Sequence, residues 1–458
     1  MTSTADPGAP TLARTLRLPS LVLLGLAYMT PLIVLGIFGV VAETTSGASA
    51  LAYLVALVAM IFTAASYGRM AAIHPVAGSA YTYVRRTVHP IAGFLVGWSV
   101  LLDYLFLPMV IWLIGGAYLS AQFPDVPSWI WIVGFIVVTT VLNVLGMKVA
   151  DRANYLLMAF QILVVLSFVG LSSGSIVTTQ GGAGLISAAP FANSDTTLSG
   201  VTAGAAIAAY SFLGFDAVTT FTEETIEPRR TVPRAILLIA LIGGFVFVLV
   251  SYTTQLVHPG GAFTDSSSAA FDIAITIGGN LFGAVFISGL VIAQFASGLA
   301  AQASAARLVY AMGRDGALPK RVFGTISRRF STPAVNLALI GVIGLAALFL
   351  DVATSTSFIN FGAFVAFTMV NVSVVAHYVQ QRRAGVQLNP LFFVVLPVIG
   401  ALVTAFLLTR LDVHAIILGL SWLALGVVVC AIVTRGFRHQ TPEMQVDETI
   451  EAPAPAKG

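Results

Sequence analysis

The chain has 458 residues, of which only 9% are charged and 58% are hydrophobic; soluble domains average about 25% charged residues. With a mean hydropathy of +0.95, this composition excludes a cytosolic enzyme, a nucleic-acid-binding domain and a disordered regulator, all of which need more polar surface. The formal net charge is +3, and a lone cysteine, Cys430, rules out a disulfide framework and a cysteine-based metal site.

The N-terminal tail, 1–17, is polar and rich in Pro, Ala and Thr, and has no apolar core of a signal peptide. A membrane helix needs about 20 mostly apolar residues. Twelve such runs follow, near 20–41, 50–72, 92–121, 128–147, 154–174, 199–222, 234–257, 280–307, 333–351, 356–379, 390–409 and 413–434. The longest joints, about 175–198 and 308–332, are too short for a soluble domain, and no Walker-type Gly-rich Lys motif is present. The tail at 437–458 is acidic and Pro-rich and reads as disordered. Alternation of the spans places every Lys and Arg except Arg410 on one side. The positive-inside rule makes that side cytoplasmic. The expected protein is therefore a multi-pass protein of the cytoplasmic (inner) membrane, embedded in the lipid bilayer, with both termini cytoplasmic.

Within the spans, ionisable residues are functional candidates because each is costly in lipid. The first span carries Thr30 and Pro31, and Pro31 removes a helix hydrogen bond at mid-span. The third span carries Asp103 near the midplane, beside Tyr104; Tyr104, Pro108 and Trp112 form one stripe at helical spacing. The fifth carries Gln161. The sixth reads Tyr210-Ser-Phe-Leu-Gly-Phe-Asp, giving Tyr210, Ser211, Gly214, Phe215 and Asp216. Glu223 and Glu224 close that span and suit pairing with inner arginines or gating. The eighth span offers Gln294 and Phe295, and Asn360 opens the tenth. All six histidines fall at span ends or in loops and read as interfacial. A buried Asp can simply pin helix packing, but neither Asp103 nor Asp216 has a Lys or Arg at comparable depth. A mobile cation, either substrate or proton, supplies the missing charge.

Interruptions in the first and sixth spans, five spans apart, point to an inverted-repeat transporter with its site at the midplane. The expected fold is all-α and integral to the membrane. It has twelve helices, a five-plus-five repeat at 18–175 and 199–380, and two further helices at 389–436.

Three stretches carry a resemblance. They are Ser66-Tyr-Gly-Arg-Met through Pro75-Val-Ala-Gly-Ser-Ala-Tyr-Thr-Tyr, Ser211-Phe-Leu-Gly-Phe-Asp with Glu223-Glu-Thr, and Arg307-Leu-Val-Tyr-Ala-Met-Gly-Arg-Asp-Gly. Together they resemble the amino acid–polyamine–organocation permeases. More narrowly, Leu26-Ala-Tyr-Met-Thr-Pro, Trp98-Ser-Val-Leu-Leu-Asp-Tyr and Asn360-Phe-Gly-Ala-Phe look like the bacterial putrescine importers. The resemblance implies proton-coupled uptake of a diamine by alternating access. Substrate would bind at the first-helix break within 30–36 and the sixth-helix break within 211–215, with Tyr210 as aromatic gate and Asp216 as coupling acid. Two departures follow: the first break is poor in Gly, and Gln161 stands where several members of the group have a lysine.

Weak carboxylate recognition beside two acids suits a ligand with cations at both ends. Putrescine spans roughly 6 Å between its nitrogens, so acids roughly 10–12 Å apart can clamp it through charge-assisted bonds. Tyr104, Phe215 and Phe295 are candidates to cover its methylenes and add cation–π attraction. The expected partners are a small cationic substrate, a diamine or an amino acid, and a proton in preference to sodium, with no cofactor, no metal and no nucleic acid. An amino acid permease or exchanger is the alternative on the same fold. From another class stand a passive channel, which lacks a polar pore-lining stripe here, and a membrane sensor, which lacks an output domain. No metal-ligand cluster or Ser–His–acid set favours an enzyme.

Overall fold

The computed structural model describes residues 15–75, 79–146, 151–314, 318–327, 329–330 and 332–438. The polar start, the acidic tail from His439, and residues 76–78 and 315–316 of the recognised motifs lie outside the described residues. Among the described residues the protein is helical, with one isolated parallel β-bridge between Leu16 and Thr225.

The first span is built in three pieces: α1 (Leu18–Met29), α2 (Ile33–Gly36) and α3 (Phe38–Thr44). Pro31 explains the first gap, because it offers no N–H and disfavours the helical conformation in the residue before it. Thr30 accordingly adopts a left-handed conformation, φ 51°. There follow α4 (Ser49–Ile73), a short α5 (Ser79–Thr87), α6 (Pro90–Gln122), α7 (Ser128–Val144) and α8 (Asp151–Gln180). The second half opens with α9 (Leu198–Ala208), capped by the Thr197 side chain accepting from the Gly200 N–H. It stops at Ala208 and gives way to 3-10 turns at Ala209–Phe212 and Ala217–Glu224. Next come α10 (Pro228–Val257), α11 (Ala269–Arg314), α12 (Lys320–Phe323), α13 (Ala334–Gly344) and α14 (Val352–Arg383). The chain closes with α15 (Leu396–Leu408), preceded by a π-helical turn at Leu391–Val395, and α16 (Val413–Val433).

Ten of these segments are long and apolar enough to cross a membrane. Two shorter apolar helices, Ser128–Val144 and Ala334–Leu348, occupy the places of the remaining two expected spans. The interrupted first and sixth spans are found where the sequence puts them, each opening one half of the helical array. Three details differ from expectation. The helices α8 and α11 run on past 174 and 307, so the joints after them are shorter than the apolar runs suggest. Backbone hydrogen bonding, not hydropathy, ends a helix. α11 also begins at Ala269 and bends at Gly279, whose φ of 69° suits only glycine. Finally, the inner half of the sixth span is a 3-10 helix rather than an α-helix.

Burial grades the helices. In the most apolar stretch of Val352–Arg383, 72% of residues are buried, and in Leu198–Thr222 67%; in Val413–Val433 only 17% are. The sixth and tenth spans thus form the packed centre and the last helix lies at the rim. Close approach makes the centre tight. A side chain on Gly362 of α14 would run into the Ser99 carbonyl of α6, so only glycine permits that crossing.

Candidate substrate-binding site

The two helix breaks meet. The Tyr28 ring, one residue before the end of α1, fills the space where a Cβ on residue 214 would project. Gly214 has φ 100°, a conformation that other residues rarely adopt. Chain direction therefore changes in both spans at one level of the bundle.

Neither break leaves an open row of N–H donors. At the first, Ile33 donates to the Thr30 carbonyl at 2.9 Å, and Leu35 and Gly36 donate to Leu32 at 3.1 and 3.3 Å. Pro31 has no N–H. At the sixth, Leu213 donates to Tyr210 at 3.1 Å, Phe215 to Phe212 at 3.3 Å and Ala217 to Gly214 at 3.0 Å. A helix start binds anions through N–H groups without partners. Here tight turns take up most of these donors.

The acids are placed differently. Asp216 accepts a hydrogen bond from the Ser79 hydroxyl at 3.2 Å, and Tyr67 lies within electrostatic reach of it. These two residues come from α5 and α4, the stretch Ser66-Tyr-Gly-Arg-Met through Tyr83 singled out in the sequence. Tyr67 also packs edge-on against Phe215, with ring centroids 5.6 Å apart, and against Tyr83 at 6.1 Å. Asp103, within α6, keeps its Oδ1 buried with no hydrogen-bond partner. It lies close enough to Asp216 and Tyr210 to interact electrostatically with both. Among the described residues, neither carboxylate forms an ion pair. Of the two acids, Asp216 is held by the Ser79 hydroxyl, and Asp103 has an unsatisfied oxygen.

The other expected site residues divide. Tyr210 and Ser211 are buried, and the Ser211 hydroxyl meets that of Tyr53 at 3.2 Å. Phe215 is fully buried, with ring centroids 5.6 Å from Tyr67 and 5.3 Å from Phe367. Thr30, Pro31 and Tyr104 are half-buried. Phe295 has its ring 6.3 Å from Phe135 of α7. Gln161 and Gln294 are buried, with Oε1 and Nε2 respectively lacking a partner. Among the described residues no hydrogen bond joins either glutamine to the acids. The Glu224 carbonyl accepts from the N–H groups of Thr15 and Leu16 at 2.9 and 3.0 Å, latching the N-terminal segment onto the end of the sixth span. The Glu223 side chain lies outside the described residues.

The site-residue expectations miss Tyr67, Ser79 and Tyr53 as structural partners of the breaks, and offer Asn360 only as a polar group opening the tenth span. The Asn360 amide donates to the Ala206 carbonyl at 2.7 Å, near the point where α9 ends. A polar residue within an apolar span was the signal that marked Asn360. For Tyr67 and Ser79 the motif marked the segment but not its target.

With this geometry in view, comparison with known proteins is informative. A family model described as "Amino acid permease" matches residues 20–439. The low-affinity putrescine importer PlaP of Escherichia coli (strain K12) is 38% identical over 438 residues, covering 95% of this chain and 96% of PlaP. Cationic amino acid transporter 4 of Mus musculus is 30% identical, over 80% of this chain and 60% of that protein. Among solved structures, MhsT in complex with L-phenylalanine superposes with a TM-score of 0.56 and 16% identity, covering 88% of this chain and 100% of that one. At that identity the likeness speaks to the fold alone.

Proposed function

Because the chain belongs to the amino acid permease family and is a transporter rather than an enzyme, we propose that it imports putrescine or a related diamine across the cytoplasmic membrane. In this reading Asp103 and Asp216 bind the two ammonium groups, Tyr104 and Tyr210 flank the methylenes, and a proton travels with the substrate. Both termini and the basic face then lie in the cytoplasm, as the positive-inside rule requires.

The observation that carries this reading is the pair of mid-bundle acids without a basic partner, one with an oxygen left unsatisfied. Such an oxygen is costly unless a donor arrives, and a diamine brings donors at both ends. The closed turns at the helix breaks add to the argument. An α-amino acid would bring a carboxylate to a region with two acids and few free N–H donors, which is a repulsive element against it. The likeness to PlaP over nearly the whole chain supports the same substrate class.

A second reading, an amino acid permease or an amine–amino acid exchanger, is favoured by the likeness to cationic amino acid transporter 4. One experiment separates the two. Purified protein in proteoliposomes is given labelled putrescine under an imposed pH or sodium gradient, with lysine and alanine as competitors. Accumulation driven by the inward proton gradient and resistant to alanine is expected. Inhibition by equimolar lysine or alanine would sink the diamine reading, and a sodium requirement would sink the proton coupling.

A further inference from the structure

The motif Ser66-Tyr-Gly-Arg has two outputs. Tyr67 packs its ring edge-on against Phe215, the neighbour of Asp216. Two residues on, the Arg69 guanidinium lies over the Phe392 ring, 5.5 Å from its centroid. Its Nη1 is buried and has no hydrogen-bond partner. The next basic group along the chain, His74, likewise keeps Nε2 buried without a partner. Burial holds the His74 imidazole below the ordinary histidine range, and Arg86 and His377, both within electrostatic reach, lower it further. The His377 ring is 6.4 Å from that of Phe393, the neighbour of Phe392. Arg69 of α4 and His377 of α14 therefore sit beside the π-helical turn at Leu391–Val395, and His74, in the joint after α4, lies within electrostatic reach of His377 and of Arg86 of α5. Among the described residues, none of Arg69, His74 and His377 makes an ion pair.

The surface next to this cluster is apolar and exposed. Leu391, Phe392 and Val395 are each nearly half exposed, and Ile399 and Leu402 continue the stripe along α15. The framework beneath is firm. Ser66 donates to the Asn371 side chain at 2.7 Å, and Asn371 packs under Gly400, so α4, α14 and α15 are joined directly below the cluster.

We propose that this cluster binds the phosphate of an anionic phospholipid headgroup, with an acyl chain lying along Leu391, Val395 and Leu402. Buried guanidinium and imidazole donors without a partner recognise a phosphate oxygen. Basic pockets between helices at the inner face of a membrane suit anionic headgroups. The choice of a lipid over free phosphate rests on Phe392, which belongs at once to the cation–π contact and to the exposed apolar stripe. The site is separate from the two acids, so its test does not depend on the substrate assignment.

The test uses the full-length purified protein in detergent micelles. Retention of added phosphatidylglycerol or phosphatidylcholine is read by native mass spectrometry, and melting is followed with each lipid and with inorganic phosphate. Phosphatidylglycerol should be retained and should raise the melting temperature, and phosphatidylcholine should do neither. Arg69→Gln should weaken retention about fivefold, the factor expected for one basic residue near an anionic surface, and Arg69→Lys should preserve most of it. If Arg69→Gln does not yield folded protein, the His74→Gln/His377→Gln double variant serves, with a comparable loss expected. Equal retention of both lipids, undiminished retention by the folded variants, or full reproduction of the melting shift by inorganic phosphate would each overturn the proposal.

Discussion

The ring of Tyr28 occupies the space into which any side chain at position 214 would project, so the broken first and sixth spans lock together at Gly214. A tyrosine at the end of α1 and a glycine at a positive φ are complementary parts of one joint. Gly214→Ala should therefore damage both. The backbone conformation costs about 1–2 kcal/mol for a residue with a Cβ, and the collision adds about 1–3 kcal/mol of overpacking. A lower melting temperature and sharply reduced uptake are expected. Adding Tyr28→Ala should relieve the collision but not the backbone cost, so the double variant should recover only partly. Unchanged melting in Gly214→Ala would show that the joint is not rigid.

Asp103 is the more exposed test of the diamine clamp, because its Oδ1 has no partner within the protein. Asp103→Asn keeps the shape and removes the charge. A hydrogen bond to a charged group is worth about 1.5–3 kcal/mol, so KM for putrescine should rise about 10–100-fold. Melting should hold or improve, since an unsatisfied buried acid has been neutralised. Uptake kinetics with KM unchanged would remove Asp103 from the site.

For Asp216 the role proposed is twofold, binding and proton coupling. Asp216→Asn should abolish accumulation against a gradient. The Ser79 hydroxyl orients this carboxylate, so Ser79→Ala should cost about 0.5–3 kcal/mol of that interaction, and Tyr67→Phe, which removes the hydroxyl of the neighbouring ring, should act in the same direction. Their effect should appear mainly in KM for putrescine, with the pH profile of uptake altered as well. Normal accumulation by the Asn variant would end the coupling role.

In the span order expected from the sequence, Arg410 is the basic residue on the side opposite the others. It donates to the Thr202 hydroxyl at 3.0 Å and to the Ser199 carbonyl at 3.2 Å, and also meets the Ser199 hydroxyl. The turn between α15 and α16 is thereby tied to the start of α9. Arg410→Met should lower stability by about 1.5–3 kcal/mol, the range for a hydrogen bond to a charged group, read as a lower melting temperature. The same melt in Thr202→Val should show a smaller drop, because the Ser199 contacts remain. Equal melting of all three proteins would make the tie incidental.

Selectivity should follow charge at both ends. Cadaverine, one methylene longer, should compete with putrescine, and butylamine, with a single ammonium, should compete weakly. Comparable inhibition by butylamine in an uptake assay would show that only one acid engages the substrate.

Much of this protein is legible in its amino acids because lipid is an exacting solvent. Apolar runs of sufficient length must become helices, since backbone groups in hydrocarbon have to bond within their own segment. The skew of Lys and Arg ordered the spans, and Pro31 and Gly214 marked the breaks through their own covalent chemistry. Asp103 and Asp216 stood out because charge at that depth is rare. The helix ends beyond the apolar stretches, the Gly279 bend and the 3-10 inner half of the sixth span were not legible, because local hydrogen bonding sets them and hydropathy does not. Nor was the different state of the two acids. One aspartate is held by Ser79, more than a hundred residues away in sequence, and the other retains an oxygen without a partner. Residue type determined that both are acids inside a membrane. Which donors reach them is a matter of distance between helices, and only the tertiary structure decides that.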